Sequence, residues 1–208
     1  MAYPTVSAPY GLEAINRVDG LPYAGAVRQI PIASTYNTAI YNGDIVNIAA
    51  GGTVVKSAVT VNSTGAAANY TAGVFVGVQY VNAQGQTVQA QYYPGNAAAT
   101  SAVAFVVDDP LAAFKVAVTF ANGAMTTVNS TIVGTNMAVI QGSGSNTTGD
   151  SGVSVLATSN GGGTANALPV RVIAVVPDTA TGANAFAEVF VKFNNHQYNL
   201  AGGVAYTA

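Results

Sequence analysis

The chain has 208 residues, 50% of them hydrophobic and only 7% Asp, Glu, Lys or Arg, with a formal net charge of −2. Soluble domains average roughly 25% charged residues, and disorder goes with low hydrophobicity and high net charge, so an intrinsically disordered chain is excluded. No run reaches the roughly 18 apolar residues of a spanning helix, six basic residues scattered singly give no nucleic-acid footprint, and the absence of Cys removes disulfides and thiolate metal sites.

Val outnumbers Leu thirty to six, and β-branched side chains suit a pleated surface better than a helix. The N-terminus, through Met1-Ala2-Tyr3-Pro4-Thr5-Val6, has neither the basic nor the apolar stretch of a secretion signal. Prolines at 4 and 9 keep this segment extended, and residues 1–20 are expected to form an arm in front of one all-β domain over 21–208. Strands are predicted at 26–32, 44–48, 55–61, 74–80, 87–92 and 103–107, then at 114–119, 152–156, 170–176 and 188–193. Pro31 places the first of these at a sheet edge. In 55–61, Val55, Ser57, Val59 and Val61 share one face against Lys56, Ala58 and Thr60, and in 188–193 Val189, Val191 and Phe193 do so against Glu188, Phe190 and Lys192. The runs 74–80 and 170–176 are dense enough for central strands. Turns are signalled by Asn42-Gly43 and Ala83-Gln84-Gly85, and flexible connectors by 142–146 and 159–163. Asp109-Pro110 reads as a capped helix start, predicting a short helical turn over 110–113. Short strands at 8–12-residue spacing predict a β-sandwich or barrel-like fold with short helical turns at most.

Few residues suggest chemistry. His196 is the single histidine, so no multi-His metal centre can form, and its neutral neighbours suit a structural role. Thr148-Gly149-Asp150-Ser151-Gly152 resembles the surroundings of a protease serine, yet the histidine lies on the wrong side of it in chain order. A loop leading into the strand at Val153 is the simpler reading. Asp108-Asp109 lack the further oxygen ligands a hard cation needs. Phosphate-binding and dinucleotide fingerprints are absent. A non-enzymatic chain without cofactor or metal is expected.

Several segments, in order, carry a resemblance: Tyr10-Gly11-Leu12, 21–32, Gly43-Asp44-Ile45-Val46, 73–80, Val107-Asp108-Asp109-Pro110, 148–153 and 191–197. In these the chain resembles a family of virion structural proteins of tailed bacteriophages, the capsid decoration or cement proteins. The resemblance implies an all-β protein, made in the host bacterial cytoplasm, that binds the major capsid protein on the outside of the virion shell and stabilises it. It also implies a homo-oligomer, a trimer at threefold positions, with no nucleic-acid or membrane partner. Tyr3, Pro4 and Tyr10 of the arm, with Pro22 and Tyr23 just after it, are the expected contacts to the shell or a neighbouring subunit. Sparse charge leaves little repulsion between copies. The alternative is a carbohydrate- or receptor-binding β-sandwich module of a phage tail or adhesin, using some of the eleven tyrosines. A hydrolase built on Asp150 or Ser151 is the third and least supported reading.

Overall fold

The computed structural model describes residues 8–58, 71–95, 100–120, 123–124, 126, 128–157, 168–179 and 186–198. In chain order the described strands are β1 (Glu13–Arg17), β2 (Arg28–Pro31), β3 (Ile45–Ile48), β4 (Val54–Lys56), β5 (Gly73–Val81), β6 (Thr87–Ala90) and β7 (Thr100–Val107). They continue with β8 (Ala112–Thr119), β9 (Asn136–Met137), β10 (Val139–Ile140), β11 (Ser154–Leu156), β12 (Val170–Val175) and β13 (Glu188–Phe193). A 3-10 turn, Ser130–Ile132, is capped by the Asn129 side chain. The fold is all-β.

Two sheets share the strands. The first runs β2-β7-β5-β3-β4, with β6 beside β5. A parallel bridge from Ile32 to Val54 draws its two outer strands together and nearly closes it. The second runs β10-β11-β8-β13-β12-β9, with β1 also on β8. Its end strands β9 and β10 are separated in the chain by Ala138 alone, so the segment 136–140 pairs with both margins of the sheet. A sheet that ends on one continuous segment has closed on itself, and closure removes the exposed margins that invite stray pairing.

Alternation along the strands divides the core. Val74 and Val107 face one cluster with Phe114, Val116, Val118, Val189, Val191 and Phe193. Their neighbours Phe75 and Val106 face a second cluster with Ile30, Ile40, Val46, Val54 and Tyr93. β5 and β7 therefore bury both faces, which explains why 74–80 reads as a dense apolar run rather than a strict alternation. Of the adjacent rings Tyr92 and Tyr93, the second is a core residue and the first stacks on Tyr41 at 5.6 Å.

The ten predicted strand regions all contain described strand, and β2, with Pro31, lies at the end of its sheet's path. Two local expectations are corrected. The helical turn over 110–113 is a β-turn: the Ala112 N–H donates to the Asp109 carbonyl at 3.0 Å, and Ala112 then enters β8. Ladders to β1 and β13 on both sides of β8 outweigh the capping preference of Asp109-Pro110. In the 55–61 region the strand is Val54–Lys56, and Val54 rather than Val55 is the fully buried side chain. At Ser57 the chain donates to the Ile45 carbonyl and leaves the regular ladder, and 59–61 lie outside the described residues. The connector 159–163 also lies outside them.

Residues 1–20 are described from Ala8 onward. Within them Leu12 is buried in the core, and β1 pairs with β8 from Glu13↔Lys115 to Arg17↔Ala112. This part of the expected arm is sheet, because Leu12 and Ala14 find apolar partners against β8.

Candidate functional site

Three segments cross at one place. Gly11 and Gly43 meet back to back, both with left-handed φ (+91° and +88°). A Cβ on Gly11 would sit 2.7 Å from the Gly43 Cα, so only glycine allows this approach. Residues 41–44 form a turn, closed by the Asp44 N–H donating to the Tyr41 carbonyl at 3.0 Å, as Asn42-Gly43 signals. The third segment runs alongside: Asn42 donates to the Gly149 carbonyl, and Ser151 donates to that of Asn42.

Beneath the crossing lies a buried polar node. Asp44 is fully buried. Its Oδ1 accepts from the Ser151 hydroxyl at 2.6 Å, and its Oδ2 from the Tyr41 N–H at 2.8 Å. Lys56 Nζ reaches the same Oδ2 at 2.8 Å. The Ser151 Oγ in turn accepts from the Val153 N–H at 3.0 Å. A buried carboxylate survives in an apolar interior when its oxygens are this fully engaged. Ser151 is itself 2% exposed, and its proton goes to a carboxylate already paired with lysine. The histidine is elsewhere: His196 packs against the rings of Phe193 and Tyr198, and its Nδ1 accepts from the Tyr198 N–H at 3.2 Å. Burial lowers the His196 pKa, with Asp108 pulling the other way. The Thr148–Gly152 motif thus anchors a loop, and the histidine does not stand beside its serine.

Above the node opens a cavity of about 500 Å³, with Tyr10, Glu13, Tyr23, Val27, Asn42 and Asp150 in its walls. Tyr10 donates to Glu188 Oε1 at 2.5 Å, and burial, reinforced by that carboxylate, pushes its hydroxyl far above the ordinary phenol value. Lys115 lies over the Tyr10 ring and pairs with Glu13 at 3.0 Å. The Tyr23 hydroxyl donates to the Ala26 carbonyl at 3.0 Å, and Asp150 Oδ1 accepts from Gln91 at 2.7 Å.

Of the five expected contact residues, Tyr10 and Tyr23 come together in this cavity wall. Pro22 is exposed and bridges to Asn16, and Tyr3 and Pro4 lie outside the described residues. The adjacent acids part company: Asp108 pairs with Arg28 at 2.7 Å, and Asp109 with Arg17 at 3.0 Å. Among the described residues no group of three or more His, Asp or Glu could hold a metal ion. Glu13, Lys56 and Glu188 were missed from the sequence because their partners are distant in the chain. An acid beside a turn, as in Asn42-Gly43-Asp44, together with Ser151, is the local signal that could have found the node.

No family model matches this chain, and neither a curated protein nor a solved structure matches it. No helix among the described residues is long and apolar enough to cross a membrane.

Proposed function

We propose that this chain is a non-enzymatic structural protein of a tailed-phage head, a decoration protein that docks on the outside of the shell as a homo-oligomer, a trimer. The observation that carries the reading is a cluster of uncovered apolar side chains. Of the eight large hydrophobics exposed among the described residues, Ile15, Val18, Leu21 and Val27 fall within thirteen positions of one another. Leu111 joins them, its carbonyl accepting from the Val18 N–H at 2.8 Å. Leu21 is 56% exposed. A chain with so little charge elsewhere gains by covering such a ridge against a partner.

The test is attachment to phage heads that lack the protein, read by co-sedimentation and by imaging the particles. Saturable binding on the outer face, lost in a Val18→Asp, Leu21→Asp variant that still folds, is expected. No binding by the wild-type chain refutes the reading. A monomer by analytical ultracentrifugation, free and on heads, refutes the oligomer. A second reading, a carbohydrate-binding module, draws on the tyrosines and acids of the cavity, and binding to a glycan array would favour it.

A further inference from the structure

The cavity beside the ridge is unusually acidic for this chain. Its walls include Glu13 and Asp150 and no Lys, Arg or His. Glu188 stands behind Tyr10, and Lys115 is the cation in contact, 3.0 Å from Glu13 and 3.8 Å from Glu188. Three carboxylates against one ammonium leave −2 at this spot, as large as the net charge of the whole chain.

The carboxylates and tyrosines of the wall leave acceptors over, while the Asn42 carboxamide also in the wall carries N–H donors. The Tyr10 proton is given to Glu188, and the Tyr23 proton to the Ala26 carbonyl. Among the described residues, Asp150 Oδ2 receives no hydrogen bond, whereas its companion oxygen is engaged by Gln91, and the Glu13 carboxylate pairs with Lys115. A neutral sugar gains nothing from the net negative charge of this wall, whereas a cation does. An acidic cavity with tyrosine rings and the apolar Val27 and Val76 suits a flat cation rich in N–H groups, and guanidinium has five of them on a plane that stacks on aromatic faces. Val27 belongs to both the cavity wall and the exposed apolar ridge, so a segment lying on the ridge can direct a side chain inward.

We propose that this cavity receives an arginine side chain of the protein to which the chain attaches, with the flanking residues of that arginine packing on the ridge. The inference rests on the attachment reading above, but it is tested apart from it. N-acetyl-arginine-amide is titrated into the isotope-labelled full chain and followed by amide chemical shifts. Shifts at Tyr10, Tyr23, Asn42 and Asp150 with a millimolar dissociation constant are expected. Binding of the neutral isostere N-acetyl-citrulline-amide should be at least about tenfold weaker, as should arginine-amide binding by E13Q and D150N. Glu13 and Asp150 are surface carboxylates, and thermal unfolding confirms that both variants fold. Equal binding of the citrulline compound, preferential binding of methyl glucoside, or no response to arginine-amide at saturating concentration overturns the proposal. If wild type binds heads and the E13Q/D150N double variant binds them equally well, the arginine site fails while attachment stands. If wild type does not bind heads, the attachment reading fails and the titration still decides what the cavity takes.

Discussion

At the scale of single residues, Asp44 and Ser151 are the most constrained polar pair. Asp44→Ala removes a buried carboxylate and leaves Ser151, Lys56 and the Tyr41 amide without their acceptor, at an expected cost of about 3 kcal/mol in urea unfolding. Ser151→Ala should cost about 1–2 kcal/mol, and the double variant less than the sum because both act on one network. Independent, additive effects would show that the node is not a unit. Gly11→Ala forces a Cβ against the Gly43 backbone in a left-handed conformation and should destabilise by about 2 kcal/mol or more. A neutral result there would contradict the crossing. His196 gives the pH dependence. Burial holds its pKa below the ordinary value of 6.5, so the unfolded chain takes up the proton first as pH falls. Stability is therefore full above about pH 6.5 and declines as pH drops through that value toward the lower folded one. Phe193 and Tyr198 pack on the ring, and Asp108 and Asp109 only moderate the shift. Urea midpoints measured between neutral pH and about pH 5.5 should fall in wild type and stay flatter in His196→Gln. Parallel curves would remove His196 as the cause.

At the scale of elements, the segment 136–140 decides whether the second sheet is open or closed. β9 and β10 have two residues each, too few for any periodic signal, and they became strands because both margins of the sheet offered partners. The Leu156 amide donates to the Ala138 carbonyl and the Val172 amide to that of Thr135, both at 3.0 Å. These two amides, one on each margin, should exchange slowly with solvent deuterium, at rates close to those of β8 and β13. Rapid exchange at either would mean the sheet is open there. β1 was also invisible to periodicity. Its sequence Glu-Ala-Ile-Asn-Arg carries one large apolar residue, and that residue, Ile15, sits at the register irregularity against β8 and remains exposed.

At the scale of the molecule, low charge and an apolar ridge act together. Few ionic groups means weak long-range repulsion between copies, and uncovered Val18, Leu21 and Val27 supply short-range attraction. The N-terminal contacts can be tested without disturbing the cavity, because Tyr10 and everything after it can be kept. Deleting residues 2–7 removes Tyr3 and Pro4 while retaining the Tyr10–Glu188 hydrogen bond. The shortened chain is expected to melt as wild type does but to occupy heads less fully. Unchanged occupancy would remove Tyr3 and Pro4 from the contact.

The all-β class, the edge position of Pro31 and the inward face of 188–193 were legible from the sequence, because each depends on local sterics or on a period of two within a few residues. Valine stiffness and proline's missing donor act wherever the chain goes. The same holds for the Asn42-Gly43 turn. Everything that makes the candidate site required partners far apart in the chain. Asp44 meets Ser151 across 107 positions, and Tyr10 meets Glu188 across 178. No local rule reveals a pairing at that distance, since only the packed strands fix which side chains share one buried volume. Closure of the second sheet was undecidable for the same reason: two-residue strands have no preference of their own, and the free margins they cover exist only once β8, β11, β12 and β13 are in place.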